Sequence, residues 1–162
     1  MGNESYVHAD VRDQGGMWQK VGEVGEREGR MNMCVACAGI VKQLSDCLRV
    51  SAEEVKEVLD VNINGVLFTA QAVGQQMVRF GNPGSIVLIS SVAGSVVLRG
   101  DSVIAYHASK SALLQMARSM ACELASRKSP SASIRYHQDT SLRRRSPNTP
   151  ARIHNCWRSG AI

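Results

Sequence analysis

The sequence lacks any apolar run of the roughly 18 residues that a membrane-spanning helix requires. Its first residues also lack the basic-then-apolar order of a secretory signal. Position 6 is Tyr6, where a myristoylation pattern has Ser or Thr. We therefore expect a cytoplasmic protein with no membrane partner.

A regular cysteine framework is absent as well. The five cysteines form an odd set without regular spacing, which argues against a disulfide-stapled fold. Cys34 and Cys37 form a CxxC pair, but they lie in Met33–Ala38, an apolar run that predicts a strand. Residues three apart on a strand point to opposite faces. No second CxxC or His pair accompanies them, so we expect no metal site.

Acidic residues are scarce near the C-terminus. Residues 127–162 contain eight Arg or Lys and one Asp, whereas the rest of the chain contains 11 basic and 13 acidic residues. Three of the four prolines lie in the same region, and no period of 2 or 3.6 is sustained there. We predict a domain over residues 1–128 and a basic, mostly disordered tail over 129–162. A nuclear-localisation or nucleic-acid arm at Arg143–Arg145 is the less favoured alternative, and nucleic acid is not an expected partner.

The apolar periodicity predicts alternating strands and helices. The predicted elements are a strand ending at Tyr6–Ala9, a helix over about 14–28 between Asp13 and Gly29, the strand Met33–Ala38, a helix from the capping box Ser51–Glu54 to about Phe80, the strand Ser85–Ser90 and a helix from about Ser102 to Ser126. This order predicts a parallel sheet with helices on both faces. Ligands bind such sheets at the carboxyl ends of the strands.

Several polar residues fall where that edge is expected. Tyr106 and Lys110 are four apart, so they project from one face of the last helix. An ammonium near a phenol lowers its pKa from about 10, which favours proton exchange near neutral pH. Ser91 could hydrogen-bond the same substrate oxygen, with Ser90 as the fallback, while His107 is expected on the helix surface. Asn62 is unusual because asparagine is unfavourable inside a helix.

The motifs around these residues resemble the short-chain dehydrogenase/reductase family. The Tyr-x-x-x-Lys signature is Tyr106–Lys110, and the other matches in family order are Asp10–Val11, Ala36–Gly39 (with Ala36 and Cys37 in place of two Asn), Asp60–Gly65 and Ile89–Gly94. The resemblance spans roughly residues 6–128, and Leu113–Leu124 is similar to fungal-type sugar and polyol reductases.

This resemblance implies a partial Rossmann-like, doubly wound α/β fold. It also implies an NAD- or NADP-dependent oxidoreductase that interconverts a small-molecule alcohol and a carbonyl. In that case Tyr106 would be the acid/base, Lys110 would also hold the nicotinamide ribose, Ser91 would bind the reacting oxygen and Asn62 would anchor a water relay. The implied cofactor contacts are Asp10 (to the adenine), Val11, Ala38, Gly39, Tyr106 and Lys110.

The family's glycine-rich phosphate turn has no match in this sequence. Gly22, Gly25 and Gly29 do not fit its spacing. Ser133–Arg135 resembles the start of the strand after the Lys110 helix, but no Pro-Gly loop follows, which suggests a shifted reading frame as one hypothesis. The alternative function is therefore a catalytically inactive, truncated member. It would at most pair with an intact homologue, or with itself, through helices 52–80 and 102–126.

Overall fold

The computed structural model describes residues 5–42, 46–97, 100, 102–126 and 133–139. The elements in these ranges are α1 (Gln14–Glu28), β1 (Met33–Ala36), α2 (Ala52–Leu59), a π-helical segment (Asp60–Gly65), α3 (Val66–Phe80), β2 (Ser85–Ser91), a 3₁₀ turn (Val92–Gly94), α4 (Ile104–Ser126) and β3 (Ser133–Asp139). The predicted alternation of strand and helix is confirmed in this part of the chain.

Helix α1 has the bounds and the caps that the sequence predicts. Asp13 Oδ1 accepts a hydrogen bond from the Gly16 N–H at 3.0 Å, which satisfies one of the unpaired donors at the helix start. Gly29 ends the helix with φ 64°, a left-handed conformation that glycine adopts without steric cost. Its N–H donates to the Gly25 carbonyl at 2.9 Å.

Glycine in α1 permits a close helix crossing. A Cβ atom at Gly25 would lie 3.1 Å from both Gln76 Oε1 and the Phe80 ring of α3. Because Gly25 has no side chain, α1 can pack closely on α3. This packing offsets part of the destabilisation that glycine causes inside a helix.

The long helix predicted from Ser51 to about Phe80 is continuous, but it changes from α-helical to π-helical geometry and back. Ser51 Oγ accepts from the Glu54 N–H at 3.1 Å, which confirms the predicted cap. The segment Asp60–Gly65 between α2 and α3 is π-helical and buries Val61 and Asn62. Such wide turns occur often at functional sites, and the sequence pattern did not predict this one.

The three strands form a parallel sheet in the order β1-β2-β3. Ile86, Leu88 and Ser90 of β2 are buried, whereas Ser85, Val87 and Ile89 are half-buried. Ser91, the last residue of the strand, is buried as well. The buried side faces helices, since Gly74 of α3 lies against Ile86 and Ser90 bonds to α4. Among the described residues the helices therefore cover one face of the sheet, where the sequence predicted both. Two right-handed crossovers that proceed in one direction along a sheet place their helices on the same face.

The core lies between this face and the helices. It consists of small and medium apolar side chains, of which the fully buried ones of largest volume are Met17, Met77, Ile86, Leu88 and Leu113. The stripe predicted for α4 is confirmed, because Leu113 and Ala117 are buried and Met120 and Leu124 pack against them.

Two predicted stretches differ from the structure. Residues Tyr6–Ala9 are not a strand, because their backbone forms no hydrogen-bonded ladder with β1. A strand needs a neighbouring strand to satisfy its backbone N–H and C=O groups. Tyr6 is also 84% exposed. Within the predicted disordered tail, Ser133–Asp139 is a strand whose Ser133 pairs with Ser85. The rest of that tail, including Arg143–Arg145, lies outside the described residues.

Within the described residues, no helix is long and apolar enough to cross a membrane. In the same ranges, no three His, Cys, Asp or Glu side chains are grouped so as to hold a metal ion. Cys34 is buried in β1, whereas Cys37 follows the end of the strand and is half-buried.

Candidate active site

Tyr106 and Lys110 lie together at the start of α4. The helix begins at Ile104, so Tyr106 is in its first turn and Lys110 one turn later. The Lys110 Nζ atom lies 5.7 Å from the centroid of the Tyr106 ring. It also donates a hydrogen bond to the Ile89 carbonyl at 2.8 Å, and the side chain is only 4% exposed. The ammonium is thus held beside the phenol at the carboxyl end of β2.

Asn62 fixes the backbone that follows β1. It is fully buried, and its Oδ1 accepts from the Ile40 N–H at 2.8 Å while its Nδ2 donates to the Ile40 carbonyl at 2.9 Å. Asn64, by contrast, is exposed and donates to the nearby Asp60 carboxylate. The choice of Asn62 over Asn64 as the candidate is consistent with this burial.

Gly39 brings the main chain next to both of these side chains. A Cβ atom at this position would lie 3.4 Å from Lys110 Nζ and 3.4 Å from Asn62 Oδ1. Glycine therefore leaves the ammonium and the amide adjacent to the backbone at the sheet edge.

Ser109 was missed by the sequence reasoning. It is fully buried, accepts from Asn62 Nδ2 at 3.0 Å and donates to the Tyr106 carbonyl at 2.8 Å. It thereby connects Asn62 to the helical turn that carries Tyr106. A signal existed, because a serine inside a helix commonly bonds back to a carbonyl three or four residues earlier.

The adjacent serines at the end of β2 have different environments. Ser90 Oγ donates to the Lys110 carbonyl at 2.7 Å and is buried against α4. Ser91 Oγ accepts from the Ala93 N–H at 3.2 Å. That contact uses an oxygen lone pair, so the Ser91 O–H remains a donor. These contacts favour Ser91 over Ser90 as the candidate for a substrate oxygen.

The hydrogen bonds that connect Asn62, Ser109 and Lys110 to their neighbours do not involve three of the predicted cofactor contacts, Asp10, Val11 and Ala38. Asp10 accepts from the Arg12 main chain and guanidinium, and these bonds hold the pKa of the Asp10 carboxyl below its usual value. Val11 and Ala38 are buried core residues, so their side chains cannot face a ligand. Only their main-chain groups remain as possible contacts.

His107 differs from the expected helix-surface residue. Its side chain is half-buried, and among the described residues its Nε2 atom is shielded from solvent without a hydrogen-bond partner. The ring lies 6.5 Å from the Tyr106 ring.

The site suits one end of a nicotinamide dinucleotide. The Lys110 ammonium and the Tyr106 phenol are donors suited to ribose hydroxyls, and Gly39 allows a close approach. The start of α1 does not suit a pyrophosphate, because the negatively charged Asp13 carboxylate already caps its first turn by accepting from the Gly16 N–H. The described residues therefore fit the ribose and nicotinamide end only.

Comparison with known proteins gives consistent matches. The family model described as short chain dehydrogenase matches residues 2–135. Oxidoreductase UcpA of Salmonella typhimurium is 36% identical over 74% of this chain and 44% of its own length. Galactitol 2-dehydrogenase (L-tagatose-forming) of Cereibacter sphaeroides is 34% identical over 75% of this chain and 46% of its own.

A solved structure supports the same assignment. The carveol dehydrogenase of Mycobacterium avium, in complex with NAD, is 29% identical and superposes with a TM-score of 0.70 over 74% of this chain and 42% of its own. The chain thus spans less than half the length of these proteins. Because the family model covers most of the sequence, the chain belongs to the short-chain dehydrogenase family.

Proposed function

We propose that the chain carries the acid–base centre of an oxidoreductase that interconverts an alcohol and a carbonyl with NAD or NADP. The observation that carries the proposal is the buried Lys110 ammonium, 5.7 Å from the Tyr106 ring and bonded to the Ile89 carbonyl. An ammonium fixed in a poorly solvated position stabilises a developing phenolate more strongly than one in water.

The residues divide the chemistry as follows. A nicotinamide dinucleotide, when bound, exchanges a hydride with the substrate carbon. Tyr106 gives its phenolic proton to the substrate oxygen during reduction and takes it back during oxidation. Ser91 donates a hydrogen bond to that oxygen as its charge changes.

Lys110 and Asn62 have supporting roles in the proposal. Lys110 stabilises the phenolate and binds the ribose hydroxyls. Asn62 holds the Ile40 backbone, and through Ser109 the turn of Tyr106, so it orients the site and the water relay to Lys110. Gly39 and the main chain of Val11 and Ala38 are the proposed neighbours of the cofactor, with Asp10 as the adenine contact.

The relatives support the class of reaction. One is named an oxidoreductase and two are named as dehydrogenases, one of them in complex with NAD. Since the chain spans less than half of each, the activity of a whole enzyme is part of the proposal.

Calorimetric titration with NAD, NADP and their reduced forms tests this function. We expect micromolar binding of one pair, which Lys110→Ala abolishes. Lys56→Ala is the matched control, because Lys56 is 76% exposed and pairs with Asp60, four residues later on the same helical stretch. Tyr106→Phe should retain binding and lose turnover. No binding up to millimolar cofactor would overturn the proposal.

A second observation favours association through the helices. Val55, Leu59 and Ile63 form a half-buried stripe at spacings of four, and with Val50 and Ala52 they line a mostly apolar groove of about 650 Å³. This groove supports the alternative of an interaction module that pairs with itself or with an intact homologue.

Sedimentation velocity distinguishes this alternative. We expect a dimer that Leu59→Lys dissociates and that Val78→Lys, at an exposed position of α3, leaves intact. A monomer at all concentrations, alone and with a full-length relative, would contradict it.

A further inference from the structure

Tyr106 lies in the first turn of α4, where a helix has the fewest hydrogen bonds of its own. The helix begins at Ile104, and the backbone N–H groups of a first turn have no carbonyl partners within the helix. Helix ends fray readily, so a side chain there keeps a fixed position only when other contacts hold its turn. A phenol that exchanges a proton beside Lys110 therefore needs such a contact.

Ser109 supplies a contact of this kind from inside the protein. Its Oγ atom donates to the Tyr106 carbonyl at 2.8 Å and accepts from Asn62 Nδ2 at 3.0 Å. Ser109 and Asn62 are both fully buried, and Asn62 belongs to the π-helical segment that precedes α3. The turn that carries Tyr106 is thus tied to a different helix.

The donors and acceptors fix the direction of this tie. A serine hydroxyl has a single hydrogen, and an amide nitrogen can only donate. Because Asn62 Nδ2 donates to Ser109 Oγ, and to the Ile40 carbonyl at 2.9 Å, the Ser109 hydrogen is directed at the Tyr106 carbonyl. Rotation of the hydroxyl would leave a buried donor unpaired, which is unfavourable.

Lys110 is held by a separate anchor. Its Nζ atom donates to the Ile89 carbonyl of β2 at 2.8 Å and lies 5.7 Å from the centroid of the Tyr106 ring. The ammonium is therefore positioned by the sheet, whereas the turn of the phenol is positioned by Ser109 and Asn62. The distance between the phenol and the ammonium depends on both anchors.

Other titratable groups come from the elements around this end of α4. The His107 ring lies 6.5 Å from the Tyr106 ring. The π-helical segment contributes the Asp60 carboxylate, which pairs with a lysine of α2, and Asp139 ends β3 at the same edge of the sheet. β2 and the 3₁₀ turn after it carry no charged or titratable side chain. All of these groups are retained when Ser109 is replaced.

We infer that Ser109 is a positioning residue for the acid–base step: its hydroxyl holds the turn of Tyr106 so that the phenol stays beside the Lys110 ammonium. This inference rests on the proposed function, in which Tyr106 exchanges the proton. Ser109 acts through Tyr106 and contacts neither substrate nor cofactor. A serine with a purely structural role would contribute to stability without changing the acidity of the phenol.

NMR titration of the full chain, with isotopically labelled tyrosine side chains, tests the inference. Tyr106→Phe assigns the signal of Tyr106. We expect Ser109→Ala to raise the midpoint of the Tyr106 titration by about one pH unit, the lower end of the effect that an adjacent opposite charge exerts. The midpoint of Tyr6, which is 84% exposed, should not move.

Ser111→Ala is the matched control, because Ser111 is an exposed serine two positions further along the same helix. Ser109→Ala is also combined with His107→Gln, and the same shift is expected in that background. Urea unfolding checks that each variant folds. If Ser109→Ala does not fold, Ser109→Cys replaces it, since a thiol is a much weaker hydrogen-bonding group.

Three results would overturn the inference. They are an unchanged Tyr106 midpoint in the folded Ser109 variant, an equal shift in Ser111→Ala, and a shift that disappears with His107→Gln. The titration needs no cofactor, so it gives its answer independently of the calorimetric test. A shift in the titration without any cofactor binding would leave Ser109 as the residue that positions the phenol and would overturn the proposed function alone.

Discussion

Ser90 Oγ donates a hydrogen bond to the main-chain carbonyl of Lys110 at 2.7 Å, which fastens the end of β2 to the second turn of α4. The Lys110 side chain returns a bond to the neighbouring Ile89 carbonyl. Strand and helix are therefore joined in both directions next to the candidate acid–base pair. This arrangement assigns Ser90 a structural role and leaves Ser91 beside it as the chemical candidate.

Alanine substitution should separate these two serines. Ser90→Ala removes a buried donor and is expected to lower the free energy of unfolding by about 1–2 kcal/mol. Ser91→Ala is expected to lower turnover about 10²-fold or more, as for other donors to a developing oxyanion, with a smaller effect on stability. Urea unfolding and steady-state kinetics on both variants measure this. A larger loss of turnover in Ser90→Ala than in Ser91→Ala would reverse the assignment.

Asn62 should be essential to stability. Asn62→Ala removes two hydrogen bonds to Ile40 and one to Ser109 at a fully buried position. At about 1 kcal/mol for each bond, the expected cost is about 2–4 kcal/mol. Asn64→Ala, which removes one exposed bond, should change stability by no more than about 0.5 kcal/mol. Similar costs for the two asparagines by urea unfolding would show that the contacts around Asn62 are not formed.

Gly94 should tolerate no side chain. A Cβ atom there would lie 2.7 Å from the Lys110 carbonyl oxygen and 3.0 Å from Ser90 Oγ. Because backbone must move to relieve this contact, Gly94→Ala is expected to destabilise the chain by about 1–3 kcal/mol.

Gly22→Ala provides the contrast to Gly94→Ala. Its nearest neighbour, Gln76 Nε2 of α3, would be 3.8 Å from the new Cβ, an ordinary van der Waals contact. We expect stabilisation by up to about 1 kcal/mol from helix propensity. Thermal unfolding of both variants measures the change in stability, which should be negative for Gly94→Ala and positive for Gly22→Ala. A stabilising Gly94→Ala would contradict the close packing of the Val92–Gly94 turn on α4.

The Cys34 thiol should make stability fall in alkaline solution. Burial, and to a lesser degree Cys37, raises the pKa of Cys34 from 9.0 to about 12. Above pH 9 the unfolded chain releases this proton while the folded chain retains it, so unfolding is favoured as pH rises towards 12. The slope from this group approaches about 1.4 kcal/mol per pH unit.

Cys34→Ala should reduce that slope. Urea unfolding between about pH 8.5 and 10.5 compares it with the original chain and with Cys122→Ala, whose thiol is exposed. The cavity left by Cys34→Ala lowers stability equally at every pH, so only the slope is informative. Identical slopes in all three proteins would disprove the effect.

Local signals in the sequence predicted most of the helices and the central strand. Asp13, Gly29 and Ser51 form their caps with residues three or four positions away, so their roles can be inferred without knowledge of the fold. The apolar run of β2 was predicted for the same reason. Helical spacing predicted that Tyr106 and Lys110 share one face of α4, whereas the roles expected of them came from the family resemblance.

The remaining features depend on distant residues. Asn62 is held by Ile40, 22 positions away in sequence, and by Ser109, 47 positions away, so the π-helical turn that buries it has no local signature. The strand Ser133–Asp139, whose start the resemblance at Ser133–Arg135 indicated, lies within a stretch whose composition suggested disorder, and it pairs with β2. Conversely, Tyr6–Ala9 has strand-like residues, but no strand within the described ranges pairs with it.

The contact between Asn62 and Ile40 reproduces the donor and acceptor pair of a peptide group. A single side-chain amide meets both the N–H and the C=O of one residue, as a neighbouring strand would do. The loop that follows β1 is thus held at Ile40 by a side chain rather than by another stretch of backbone. The Ile40 amide proton consequently reports on the assembly of the site, because its hydrogen exchange is slow only while Asn62 occupies its π-helical position.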